Sequence, residues 1–215
     1  QTVYTPPPPR QAEAGKLVPP ATPLVACDPY FSIWSQADNL TDEDTTHWTG
    51  KPHRLTSLVR IDGQAYRVMG VSPSRLPALK QTSLSVLPTR TIYTFEGAGV
   101  GLTLTFTTAA LPEDIDILSR PVTYVTYDVK ATDGQSHDVA VYFDAAAEIA
   151  VNETRQQVVL SKESTDQLEV VKVGSQDQPV LVKPGDDRRI DWGYLYLAAP
   201  KQAGARSLIL PEGAA

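Results

Sequence analysis

The sequence predicts an all-β protein, a large antiparallel β-sandwich preceded by an irregular proline-rich segment. Three observations lead there. From residue 55 onward, apolar and polar residues alternate with a period of two rather than 3.6, the mark of half-buried strands. The alternating runs are separated by turn signals such as Asp62-Gly63, Thr132-Asp133-Gly134 and Pro184-Gly185-Asp186, spaced so that neighbouring runs can pair antiparallel. No window of about 12 residues sustains a capped amphipathic helix. A closed barrel is the competing arrangement.

Residues 1–22 read as a leader or tether. Eight of the 18 prolines fall in the first 29 residues, consecutively at positions 6–9, so this stretch is expected to be extended, as a spacer or as a proline-motif ligand. Residues 23–70 read as an irregular aromatic segment followed by a first hairpin, whose strands 56–61 and 64–69 flank Asp62-Gly63, a type I′ turn pair. Residues 71–215 read as the sandwich body. Prolines 73, 77 and 88 make 71–87 an irregular connection with at most a short strand near 81–86. A strand at 91–96 follows, then one in which Leu102, Leu104 and Phe106 alternate with Thr103, Thr105 and Thr107. Gly97-Ala98-Gly99-Val100-Gly101 between them lacks the following helix and lysine of a phosphate loop, which leaves a hairpin connection. Further strands are expected at 121–130, 137–144 (with His137 inside it), 157–161, 168–173, 180–183 and 194–198, with a short helical turn within 145–151. Leu208-Ile209-Leu210 reads as a strand that stops at Pro211 without a closing element, as expected of part of a longer protein lacking a C-terminal region.

Composition narrows the function classes. With 41% hydrophobic and 20% charged residues, the chain of 215 residues can bury a sizeable core without disulfides. Cys27 is the single cysteine, which excludes an intramolecular disulfide and a thiolate zinc site. Nineteen Lys and Arg against 25 Asp and Glu give a net charge of −6, the opposite of a nucleic-acid footprint, so no nucleic-acid partner is expected. Residues 1–107 hold nine basic and eight acidic side chains, residues 108–215 ten and seventeen, marking the second half as a solvated acidic surface or a docking face. No apolar run reaches the ~20 residues of a membrane-spanning helix, so no membrane span is expected. Gln1 and the polar leader fit a protein whose secretory signal has been removed, the alternative being a chosen boundary; a secreted or periplasmic location is the expectation.

Unusual residues concentrate between Cys27 and His53, where two of the three tryptophans and two of the three histidines lie. In a segment with little regular structure, such residues form either a binding surface or a loop wedged against another domain. Asp28, Tyr30, Trp34, His47, Trp48 and Lys51 are therefore candidates for a docking patch or, second, for the rim of a substrate cleft. His47 and His53, six apart in a loop, do not match a zinc motif. Asp42-Glu43-Asp44 lacks the glycine of a calcium loop and reads as solvated. No metal and no cofactor is called for. There is no Gly-x-Ser-x-Gly elbow, so a serine-hydrolase triad is not supported. Asn39-Leu40-Thr41 and Asn152-Glu153-Thr154 are glycosylation tripeptides.

The run Asp28-Pro29-Tyr30-Phe31-Ser32-Ile33-Trp34, then His47-Trp48-Thr49-Gly50-Lys51-Pro52-His53, Leu58-Val59-Arg60-Ile61-Asp62-Gly63, Tyr66-Arg67-Val68-Met69-Gly70 and, more weakly, Asp191-Trp192-Gly193-Tyr194-Leu195-Tyr196 closely resembles the N-terminal region of the glutaminase A family of fungi and gut-type bacteria. The resemblance implies a sandwich similar to the N-terminal supersandwich of glucoamylase-type glycosidases. It also implies a helical toroid downstream, secretion, and a parent that hydrolyses L-glutamine to L-glutamate and ammonia. The chain itself would then be a structural module, with its own C-terminal catalytic domain and a small-molecule amide substrate as partners, and the catalytic groups would lie downstream. No catalytic residue carries over onto these positions. The alternative is a carbohydrate-binding or accessory module of a glycoside-hydrolase-like protein, built on exposed aromatic platforms.

Overall fold

The computed structural model describes residues 19–211, so most of the proline-rich leader lies outside the described residues. The fold is an all-β sandwich with twelve described strands, every strand pairing antiparallel. A hairpin of β1 (Thr22–Asp28) and β2 (Phe31–Ser35) comes first. Then β3 (Leu55–Ile61) and β4 (Gln64–Met69) follow, joined by Asp62 at φ 49° and Gly63 at φ 88°, the left-handed pair that a type I′ turn requires. Next come β5 (Lys80–Leu87), β6 (Arg90–Gly97), β7 (Val100–Thr108) and β8 (Thr123–Ala131), paired in that order in a four-stranded sheet. A one-turn helix α1 (Ile115–Leu118), capped by Asp114, interrupts the β7–β8 connection. β9 (Val139–Ala145) returns to β3, making the sheet β4-β3-β9 across residue 70. A 3-10 turn at Ala147–Ala150 leads to β10 (Val158–Ser164), β11 (Leu168–Ser175) and β12 (Leu195–Pro200), a second three-stranded sheet.

The alternation read in the sequence becomes the core. Val100, Leu102, Leu104 and Phe106 of β7 are all buried. Leu102 and Leu104 pair in register with Phe95 and Tyr93 of β6, so large side chains form layers on one face. On the other face the hydroxyls bond one another: Thr94 meets Thr82 and Ser83, each at 2.7 Å. Ser57 of β3 donates to the Tyr142 carbonyl (3.1 Å) and accepts from the Tyr127 hydroxyl (2.7 Å) of β8, tying the two larger sheets together. Burial raises the Tyr127 phenol further above its ordinary value, so it stays protonated.

Four expectations are corrected. Residues 27–35 are not irregular but belong mostly to the β1–β2 hairpin; Pro23 and Pro29 obscure the alternation while sitting where no ladder donor is needed. Residues 180–183 form a turn, not a strand. Pro179 and Pro184 remove ladder donors on both sides, and Leu181 has a φ of 52°. Leu208-Ile209-Leu210 pairs with no strand among the described residues. His137 stands before β9 rather than within it.

His137 instead joins two turns. Its Nδ1 donates to Asp62 in the β3–β4 turn (2.6 Å) and its Nε2 to Asp133 in the β8–β9 connection (3.1 Å), while Asp62 also accepts from the Asp138 amide (2.8 Å). Two carboxylates on two ring nitrogens require the imidazolium. Hydrogen bonds from Asp62 and then Asp133 raise His137 above its ordinary value. The His137 bond lowers Asp62; the Gln135 amide, then His137, lower Asp133. A raised base stabilises the fold below its unfolded value of 6.5 and ceases to as pH climbs through the folded value. The depressed carboxylates act above 3.8 and are lost as pH falls through their folded values. Wild-type melting temperature should therefore drop as pH rises above 6.5, and His137→Gln should flatten that drop in a pH series of thermal melts; equal slopes would contradict this account.

Candidate functional site

The aromatic segment is built around one carbonyl. Asp28 closes the β1–β2 hairpin as an Asx turn, its Oδ1 accepting the amides of Tyr30 (2.7 Å) and Phe31 (3.0 Å). That conformation presents the carbonyl of Pro29 to two donors, Trp48 Nε1 (2.6 Å) and His47 Nε2 (3.1 Å). The donors come from a tight turn over His47-Trp48-Thr49-Gly50, closed by the Gly50 amide on the His47 carbonyl (2.9 Å), with Gly50 at φ 79°. His47 Nδ1 in turn accepts from the Thr49 amide (3.3 Å), which places the proton on Nε2. Trp34 exchanges backbone hydrogen bonds with Thr46 and donates its indole N–H to Ser32 Oγ (3.0 Å).

Beneath this turn lies His53. Both histidines are fully buried, with ring centroids 5.0 Å apart. His53 Nδ1 donates to the Ser32 carbonyl (3.3 Å), so Nε2 is a bare acceptor, and it has no hydrogen-bond partner among the described residues. Burial, reinforced by His47 and Arg189, pushes His53 down to about 3; burial also lowers His47.

A distant stretch completes the site. The Ile190 amide donates to the Tyr30 carbonyl (2.9 Å), Tyr30 meets Trp192 edge-on at 5.4 Å, and Arg188 lies 5.9 Å from the Tyr30 ring. Arg189 is buried and spends its guanidinium on main-chain carbonyls, those of Pro52 (3.4 Å) and Asn152, while its amide donates to Asn152 Oδ1 (2.9 Å). The Asn152 tripeptide is thus committed to the fold. Asn39 is exposed, its amide donating to Asp42 (2.8 Å).

The six candidates separate. Asp28, Trp34 and Trp48 line one open depression of ≈ 380 Å³ with Ala26, Pro29 and Ser32. Tyr30 turns toward Trp192, His47 is buried beneath the turn, and Lys51 is exposed with its carbonyl accepting the His47 amide (2.8 Å). No two of these six side chains hydrogen-bond each other among the described residues; their polar groups go into holding the turns. Sequence reasoning missed Arg188 and Arg189 and did not place Trp192 here. The signal for all three was the adjoining Asp191-Trp192-Gly193 run.

Fold and site define an all-β module in which two sequence-distant motifs meet beside an apolar depression. The chain belongs to the family described as "Domain of unknown function (DUF5127)", which matches residues 89–211, and residues 7–80 match "Domain of unknown function (DUF4964)". It is also similar to "Glutaminase A" of Aspergillus oryzae (strain ATCC 42149 / RIB 40), 30% identical over 195 residues. That match covers 86% of this chain and 28% of the relative, consistent with the N-terminal region of a glutaminase A family protein. The chain is thus a glutaminase-related module spanning under a third of that relative's length.

Proposed function

We propose that this chain is the accessory sandwich of an exported, glutaminase-like amidohydrolase that converts L-glutamine to L-glutamate and ammonia, with the catalytic groups in a region outside it. The observation that carries the reading is the meeting of the Asp28–Trp34, His47–His53 and Asp191–Trp192 runs, the same stretches that carry the family likeness, beside a depression lined by Trp34 and Trp48. In this reading residues 1–22 tether, residues 23–70 bear the docking face, residues 71–215 form the body, and Asp28, Tyr30 and Lys51 edge the shared cleft. The exposed aromatics give the carbohydrate-binding alternative little support. Tyr194 and Tyr196 are inclined at 64° to one another, with Lys172 over the Tyr194 ring, so they offer no flat platform.

The test is ammonia release from L-glutamine by this chain alone and by the whole protein. Activity confined to the whole protein is expected; activity of the short chain would overturn the reading. Trp48→Ala should cost the isolated chain about 1 kcal/mol, the value of its hydrogen bond to Pro29, and the whole protein distinctly more. An equal cost in both, read by denaturant unfolding, would remove Trp48 from the docking face.

A further inference from the structure

The β7–β8 connection, residues 109–122, stands away from the sandwich it joins. Leu111, Ile115, Leu118 and Val122 are exposed to 48%, 70%, 42% and 42%, and α1 buries none of its residues. A soluble surface seldom carries so many aliphatic side chains in one short projection without a partner. Ile115 and Leu118, three apart on the single turn of α1, share one face of it, with Leu111 and Val122 exposed on either side. Glu113, Asp114 and Asp116 flank it, with Arg120 as the one basic residue of the connection.

The projection shares an end of the molecule with the aromatic segment. Thr123, where the connection re-enters the sheet as β8, lies close to Cys27 of β1, the strand that packs on β8. The neighbouring β1 residues Ala26 and Asp28 line the Trp34–Trp48 depression. One large partner would therefore meet both features.

We infer that residues 109–122 are an anchor that inserts Leu111, Ile115 and Leu118 into an apolar, basic-rimmed groove on the catalytic region of the same polypeptide. This rests on the reading above that such a region packs on the sandwich, and the relative, of which this chain matches only 28%, has ample further chain to supply one. The acidic flank selects the basic rim.

The test is Ile115→Glu with Leu118→Glu, made both in the whole protein and in this chain. Since neither side chain is buried here, the isolated chain should keep its melting temperature. In the whole protein the sandwich should melt earlier, at the temperature of the isolated chain, and calorimetry should resolve it as a separate transition. An unchanged whole-protein transition would overturn the anchor. So would sedimentation showing that the isolated wild-type chain is a dimer which the double variant dissolves, because a second copy would then cover the face. Ammonia release by the unmodified whole protein is scored separately, so loss of the glutaminase reading and loss of the anchor are distinguishable.

Discussion

Replacing His53 with glutamine should remove about 3 kcal/mol of the acid sensitivity of this fold. His53 is fully buried, donates through Nδ1 to Ser32, and leaves Nε2 without a donor among the described residues. Burial, His47 and Arg189 together lower it from 6.5 to about 3. The unfolded chain thus binds a proton below pH 6.5 that the native state refuses until about pH 3, and stability falls with pH across that window. At about 1.36 kcal/mol per pH unit, the loss between neutrality and pH 4 amounts to about 3 kcal/mol. His47, lowered by burial as well, adds in the same direction. Glutamine can still donate to the Ser32 carbonyl but takes up no proton. Urea unfolding at pH 7.5, 5.5 and 4 should show wild type losing about 3 kcal/mol more than His53→Gln. Parallel curves would mean that the buried imidazole is not what couples this fold to protons. Because His53 is neutral in both states above pH 6.5, this effect does not overlap the alkaline loss assigned to His137.

Removing Arg54 should cost about 2 to 3 kcal/mol, large for a residue that is itself partly exposed. Its guanidinium grips Glu148 through Nε (2.7 Å) and a terminal nitrogen (3.1 Å), and its amide donates to the same carboxylate (3.2 Å). The Glu148 side chain is only 9% exposed. Arg54→Ala would therefore leave a nearly buried negative charge in the 3-10 turn after β9 without its guanidinium partner, with the residue-54 amide still donating to it. The pair also closes the outer end of the β3–β9 ladder, where the Ala146 amide donates to the Arg54 carbonyl (3.0 Å). Adding Glu148→Gln to Arg54→Ala should recover part of the loss, because a neutral amide is less costly to leave unpaired there. A single-variant cost under about 0.5 kcal/mol would reduce the pair to an ordinary surface contact.

The two variants examine opposite sides of one junction. His53 lies under the turn that holds the Pro29 carbonyl, and Arg54, the next residue, ties the same stretch to the 3-10 turn that follows β9. The aromatic segment is thereby held rigidly from below. That suits the docking role proposed for this face, since a preorganised surface pays less ordering entropy on docking.

Local pattern by itself determined the strands of the body. Leu102, Leu104 and Phe106 alternate with threonines, and Asp62-Gly63 supplies the two left-handed residues of a tight hairpin; such signals are written within a few residues because side-chain direction and turn conformation are local properties. The aromatic, histidine-rich stretch was also visible as unusual, and its likeness to the glutaminase A family was carried by contiguous runs. Tertiary structure alone decided what those runs do. β3 finds β9 across a long separation, Tyr30 finds Ile190 and Trp192, and Arg189 is buried against Asn152 and Pro52, none of which periodicity encodes. The same distinction explains 180–183 and 208–210, apolar runs with strand-like composition that pair with nothing described. A strand exists only where another edge offers its hydrogen bonds, and that offer is made by the fold as a whole.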